Sequence, residues 1–179
     1  MKLYDIISNL KFIGIKNYQE LNIDSLTCDS KEKVNSGIYF CIKGTKRDGH
    51  DFAKEAIENG AVCLVVEKFL DLPITQILVE NSRIAMSYIS SVFYETYKSK
   101  MKFVGITGTN GKTTTTFLIR EILKKLGKSV GLIGTEGIYI NHLLLPANLT
   151  TPDPIVLHKF IRDMENNGCE YCVMEVSAH

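Results

Sequence analysis

The stretch Lys102-Phe103-Val104-Gly105-Ile106-Thr107-Gly108-Thr109-Asn110-Gly111-Lys112-Thr113-Thr114-Thr115-Thr116 reads as a β-strand that runs through a glycine-hinged loop into the start of a helix. Such a loop holds nucleotide phosphates for local reasons. Small residues and glycines let successive backbone N–H groups turn toward an anion, and the helix that follows adds the positive end of its dipole. Gly108, Thr109, Asn110, Gly111, Lys112, Thr113 and Thr114 are therefore the phosphate-contacting candidates. Lys112 adds a full charge on a flexible stem, and the Thr113 hydroxyl is the expected ligand of the Mg²⁺ that bridges the outer phosphates. The generic phosphate-loop pattern places a glycine where this chain has Ile106, flanked by Gly105 and Gly108, so the reading rests on the strand and helix context.

Composition narrows the alternatives. The chain has 179 residues, 45% of them hydrophobic, with 21 Lys and Arg against 20 Asp and Glu. It can bury one good core or two small ones, and it has no broad electrostatic footprint for nucleic acid or for an anionic membrane. The N-terminal Met1-Lys2-Leu3-Tyr4-Asp5 lacks a signal-peptide core, and no apolar run approaches a membrane span, which points to the cytoplasm. Cys28, Cys41, Cys63, Cys169 and Cys172 are an odd number of cysteines, expected to be reduced core thiols. Cys169 and Cys172 have the spacing of a metal half-site, but the sequence offers no second pair, and they lead into an apolar strand rather than the helix start of a redox pair.

Helix and strand alternate along the chain, which predicts an α/β protein. A short amphipathic helix is expected over Lys2 to Leu10, extended segments over Ile23 to Cys28 and Ile38 to Ile42, and a turn over Gly44 to Gly49. A helix follows near Asp51 to Glu58, then strands at Ala61 to Glu67 and Thr75 to Val79. The next helix, Arg83 to Tyr97, carries Ile84, Tyr88, Ser91 and Tyr94 at helical spacing, read as core and interdomain packing. The polar Lys98-Ser99-Lys100 marks the boundary, giving a small mixed α/β domain over 1–99 and a second, phosphate-loop domain over 100–179. There, strands at Lys102 to Thr107, Ser129 to Ile133 and Tyr171 to Val176, helices at Lys112 to Leu126 and Pro154 to Asn166, and a hairpin-like region near Glu136 to Leu145 predict a parallel sheet. His179 follows the third of these strands directly, so the chain is expected to be partial, with an unpaired edge beside Val173.

Tyr171 to Glu175 is an apolar strand ending in a carboxylate, the form of a Walker B element, and Glu175 is the second metal-ligand candidate. Thr150-Thr151-Pro152 is a rigid turn with two hydroxyls, suited to a sugar-phosphate or carboxylate, although an ordinary turn before a helix cap at Asp153 has the same form. Asp29-Ser30 taken alone reads as a turn or cap.

Taken together, Gly-Ile-Thr-Gly-Thr-Asn-Gly-Lys-Thr-Thr-Thr (105–115), Thr150-Thr151-Pro152 and Met174-Glu175-Val176-Ser177-Ala178-His179 resemble the Mur ligases, and within them the MurE branch. That branch adds the third amino acid to UDP-N-acetylmuramoyl-L-Ala-D-Glu in peptidoglycan synthesis. The folylpolyglutamate synthetases share the loop core but usually follow it with Gly-Ser rather than Thr113-Thr114. The resemblance implies ATP and Mg²⁺ as cofactors, Thr113 and Glu175 as metal ligands, and Lys112 as the catalytic group that neutralises the transferred phosphoryl. Asp29-Ser30-Lys31 is similar to an Asp-Ser-Arg motif whose serine contacts the uridine nucleotide, with a lysine here in place of the planar guanidinium fork. Gly44 to His50 is similar to the loop that follows it. Thr150, Thr151 and Ser177 match substrate contacts, whereas Leu149 stands at the family's asparagine, with Asn148 one earlier, and Ala178 at a common second serine. His50, His158 and His179 carry no assignment.

The implied reaction phosphorylates a substrate carboxylate to an acyl phosphate, which an incoming amine attacks, so the partners are the UDP-N-acetylmuramoyl-dipeptide and an amino acid. Positioning and electrostatics would supply the catalysis. The resemblance covers a first domain and the opening part of a central one. This polypeptide is accordingly expected to bind part of its ligands without ligating them, the full-length protein being a monomer. The competing readings are a non-catalytic nucleotide- or UDP-sugar-binding module and a small kinase, which would leave phosphate on its product.

Overall fold

The alternation of strands and helices forms two units, Met1–Phe93 and Tyr94–His179, in a computed structural model that describes residues 1–146 and 150–177. Asn148, Leu149, Ala178 and His179 lie outside the described residues. The division falls earlier than the expected 99/100 because the residues after Phe93 are tied to the second unit. Arg162 Nη2 donates to Glu95 Oε2 at 3.3 Å, and Thr96 Oγ1 lies 2.6 Å from His158 Nδ1.

The first unit contains α1 (Leu3–Ile7), β1 (Gly14–Lys16), β2 (Ser25–Thr27), β3 (Gly37–Phe40), α2 (Ala53–Glu58), β4 (Ala61–Val66), β5 (Thr75–Leu78) and α3 (Ser82–Phe93). Its sheet has the order β1-β5-β4-β3-β2 and is parallel except for β1, which pairs antiparallel with β5. β4, Ala-Val-Cys-Leu-Val-Val, lies third of five and is buried almost throughout, as a near-continuous apolar strand between two covered faces should be. Ala53 and Ala56 of α2 pack with Tyr39, Leu64 and Val66, and α3 packs on β3 and β4. β1 was not anticipated; three residues are too few to show a period.

The predicted inward face of α3 is corrected. Ile84 is 70% exposed, while Ser82, Ala85, Met86, Ile89 and Ser90 are buried. The start of the helix sets this register. Glu67 Oε1 accepts from Ser82 N at 2.8 Å, and Asn81 Oδ1 accepts from Arg83 N and Ile84 N. The helix also ends at Phe93 rather than Tyr97, because Glu95 takes a left-handed φ of 57° and a short 3-10 turn, Thr96–Lys98, follows.

The second unit contains β6 (Lys102–Ile106), α4 (Lys112–Lys125), β7 (Val130–Gly134), β8 (Gly137–Ile140), β9 (Leu143–Leu145), α5 (Pro154–Asn166) and β10 (Tyr171–Glu175). The strand order is β6-β10-β7-β8-β9. β6, β10 and β7 are parallel, as the sequence predicts, while β8 and β9 form an antiparallel hairpin, so the sheet is mixed. The expected open edge beside Val173 is absent among the described residues. Val173 is paired with Val104 on one side and Leu132 on the other.

Strand alternation sorts the two helices onto opposite faces. Ile138 and Ile140 cluster with Ile161 and Met164 of α5, together with Ile133 and Cys172. Tyr139 points the other way, to α4, where Phe117 meets it edge-on at 5.5 Å and Arg120 lies 4.5 Å over its ring. Four cysteines are buried, but Cys28 is exposed, which corrects its reading as a core thiol. Burial raises the Cys41 and Cys172 thiols to about 12. No helix among the described residues is long and apolar enough to cross a membrane.

His50, unassigned from sequence, is a buried brace of the first unit. Glu67 N donates to its Nε2 at 2.9 Å, so the ring proton sits on Nδ1, 2.5 Å from Asp48 Oδ1. Asp48 also accepts from His50 N at 3.0 Å. These bonds, the backbone one first, lower the Asp48 carboxyl from 3.8 to about 2. A depressed folded-state value means that the stabilisation is present above about pH 4 and is lost as the pH falls toward 2. Asp48→Asn, which keeps the acceptor but removes the titration, is expected to flatten the fall in stability across that window, measured by urea denaturation at stepped pH. An unchanged slope would exclude Asp48 as its source.

Candidate functional site

Three neighbouring parallel strands, β6, β10 and β7, end side by side, and the loops beyond their C-terminal ends build the site, the place where open α/β sheets bind ligands. Beyond β6, residues 107–111 form the glycine-hinged loop, and Gly111 enters α4 with a left-handed φ of 77°. A side chain is disfavoured in that conformation, which explains the glycine. The N–H groups of the first turn of α4 have no carbonyl partner within the helix. Lys112 Nζ folds back onto Gly108 O at 2.7 Å. Gly108, Thr109, Asn110, Gly111 and Thr114 are exposed around it.

Glu175 ends β10 and is 1% exposed. Alternation along β10 sends Cys172 and Met174 to the α5 side and Glu175 to the α4 side. Three donors meet the carboxylate there. Thr113 Oγ1 donates to Oε2 at 3.1 Å, Thr135 N to Oε1 at 3.0 Å and Thr135 Oγ1 to Oε2 at 3.2 Å. The two expected metal ligands, 62 residues apart, are thus in direct contact.

The residues expected to contact substrate join the same cluster. Thr150 Oγ1 lies 3.0 Å from Thr135 Oγ1. Thr151 Oγ1 donates to Glu175 O at 3.1 Å, accepts from Ser177 N at 3.1 Å and lies 2.9 Å from Ser177 Oγ. Beyond the turn, Asp153 Oδ1 accepts from Ile155 N and Val156 N, and Pro154 occupies the first turn, so α5 starts immediately after the hydroxyl pair.

Ser30 belongs to the first unit. Its hydroxyl donates to Glu55 Oε2 at 2.5 Å, and Asp29 Oδ1 accepts from Lys31 N in the turn read from sequence. The residue that sequence reasoning missed is Thr135, which follows β7 directly and touches both Glu175 and Thr150. Its signal was positional: Gly134-Thr135 ends a parallel strand, as Glu175 does.

The donor set suits a hard divalent cation. One carboxylate and one hydroxyl converge at the N-terminus of a helix, and no group of three His, Cys, Asp or Glu side chains is assembled among the described residues. Mg²⁺ is commonly held in this way, by one or two protein oxygens with phosphates and water completing its shell. ATP phosphates fit the loop for the charge and backbone reasons given above.

Two family profiles match the chain, the Mur ligase family catalytic domain over residues 22–104 and the Mur ligase middle domain over 106–179. The UDP-N-acetylmuramoyl-L-alanyl-D-glutamate--2,6-diaminopimelate ligase of Clostridium tetani is 41% identical over 184 residues, covering 100% of this chain and 38% of its own length. That of Geobacillus thermodenitrificans is 40% identical over 179 residues, covering 100% of this chain and 37% of its own length. The chain therefore spans less than two fifths of the length of these relatives. A solved UDP-N-acetylmuramoyl-L-alanyl-D-glutamate--2,6-diaminopimelate ligase shares the fold, with a TM-score of 0.75 and 24% identity over 88% of this chain and 32% of that one. MurF ligase from Thermotoga maritima, solved in complex with ADP, aligns with a TM-score of 0.60 and 28% identity over 86% of this chain and 32% of that one.

Gly134 makes the site possible by having no side chain. A Cβ there would stand 2.3 Å from Glu175 Oε1. Gly134→Ala is expected to cost about 1–3 kcal/mol through overpacking, read from the urea unfolding midpoint. A variant as stable as the parent would show that the carboxylate has room to move.

Proposed function

We propose, for a chain that belongs to the Mur ligase family, that it carries the nucleotide-binding and UDP-sugar-binding parts of a ligase that joins an amino acid to UDP-N-acetylmuramoyl-L-alanyl-D-glutamate. The amino acid proposed is 2,6-diaminopimelate, the one in the names of the curated relatives. The observation that carries the reading is the contact between Thr113 and Glu175 at the N-terminus of α4. The chemistry that ATP and Mg²⁺ supply is activation of the substrate carboxylate as an acyl phosphate for attack by the amine.

The residues divide the task. The loop amides and Lys112 hold the phosphates, and the lysine charge offsets the negative charge that spreads over the transferred group. To do so, Lys112 exchanges its bond to Gly108 O, a single solvent-exposed hydrogen bond, for phosphate oxygens. Thr113 and Glu175 hold the metal. Thr150, Thr151 and Ser177 position the muramoyl part of the substrate, and Ser30 in the first unit takes the uridine nucleotide. The ADP complex of the related MurF ligase supports the nucleotide assignment. Consumption of ATP and a soluble UDP-precursor fits a cytoplasmic site of action.

Titration calorimetry with Mg²⁺·ATP tests the reading. Wild-type chain is expected to bind, and Lys112→Ala to bind roughly 10- to 100-fold more weakly, the loss corresponding to a hydrogen bond to a charged group worth about 1.5–3 kcal/mol. Equal affinities for the two proteins would remove Lys112 from the phosphate site. Phosphate found covalently on the product of the whole enzyme, rather than free, would favour a kinase.

A further inference from the structure

We propose that Thr135 is a positioning residue that couples the metal and nucleotide ligands to the substrate loop. It rests on the reading above, in which Thr113 and Glu175 ligate Mg²⁺ and Thr150 touches the UDP-sugar substrate.

The argument is one of proton counting. Thr135 Oγ1 carries a single hydrogen and stands between two oxygens, Glu175 Oε2 at 3.2 Å and Thr150 Oγ1 at 3.0 Å. A carboxylate only accepts, so the hydrogen of Thr135 goes to Oε2 and Thr150 must donate to Thr135 Oγ1. The hydroxyls thus form a directed chain, Thr150 to Thr135 to Glu175, and Thr113 also donates to Oε2. In this arrangement the hydrogen of Thr150 is spent within the protein. A cation held by Glu175 and Thr113 would compete for the Oε2 lone pairs, and the Thr135 hydroxyl would then donate to Thr150 Oγ1 instead. That reversal would free the Thr150 hydrogen for the substrate. Thr135 N donates separately to Oε1 at 3.0 Å, a bond that would anchor the backbone while the hydroxyl reversed. Thr135 is also exposed, placing the chain's midpoint at the surface from which ligands arrive.

The coupling is measurable without turnover. The affinity of UDP-N-acetylmuramoyl-L-Ala-D-Glu is measured by calorimetry with and without saturating Mg²⁺ and a non-hydrolysable ATP analogue. Wild type is expected to bind the UDP-sugar about three- to tenfold more tightly with Mg²⁺-nucleotide present, the range of one ordinary hydrogen bond. Thr135→Val keeps the branched shape and the backbone bond and is expected to lose that enhancement, whereas Thr135→Ser restores the hydroxyl and the coupling. Enhancement that persists in Thr135→Val, or is lost equally in Thr135→Ser, overturns the inference. Wild type that binds both ligands without enhancement overturns it while leaving the proposed function standing. Wild type that binds neither ligand overturns both.

Discussion

A carboxylate buried at the end of a strand organises the second unit. An ionised group taken out of water costs several kcal/mol unless its lone pairs are met, and Glu175, at 1% exposure, meets three donors. They come from two directions, the first turn of α4 and the residue after β7. β10 must therefore lie between β6, whose loop leads into α4, and β7, and the sheet has that order. Gly134 follows from the same demand, since any Cβ would occupy the space of Oε1.

Strand geometry then divides the labour between the faces. Along β10, Cys172 and Met174 join the apolar cluster under α5, and the alternate residue, Glu175, faces the glycine-hinged loop. One strand thus serves both the core and the site. On the site face, α4 is held by polar and aromatic contacts. Arg120 stacks on Tyr139 and donates to Asn141 O at 2.8 Å, while Phe117 meets Tyr139 edge-on. The helix presents Leu118, Ile122 and Leu126 outward. Its orientation, and with it the direction in which its first-turn N–H groups point, is set by the β8–β9 hairpin as well as by the parallel strands.

The first unit uses a buried polar brace for a comparable end. The loop over residues 44–50 leaves the sheet after β3, and its return is pinned by His50, which accepts from Glu67 N and bonds Asp48 through its other nitrogen. Glu67 in turn accepts from Ser82 N at the start of α3. The chain of bonds links the loop, the end of β4 and a helix start, so a surface segment inherits the rigidity of the core. Ser30 is placed in the same manner, with its hydroxyl on Glu55 of α2 and its carbonyl accepting from Asn59 Nδ2 at 2.8 Å.

Much of this is local and was legible in the chain itself. The glycine-hinged loop between strand and helix, the span of α5 behind its Asp153 cap, the apolar run of β4 and the alternation that predicts an α/β protein all depend on residues near one another in sequence. So do the motifs from which Lys112, Thr113, Glu175, Thr150, Thr151 and Ser177 are proposed as phosphate, metal and substrate contacts. Pairing and facing are long-range properties, and the tertiary structure decided them. The position of β10 between β6 and β7, the antiparallel hairpin that makes the sheet mixed, the rotation of α3 that exposes Ile84, and the junction formed by Thr135 each depend on contacts between distant residues. A threonine carries no periodicity and no distinctive charge; it becomes part of the site only because the ends of β7 and β10 meet, and strand order is set by burial and backbone pairing across the whole unit.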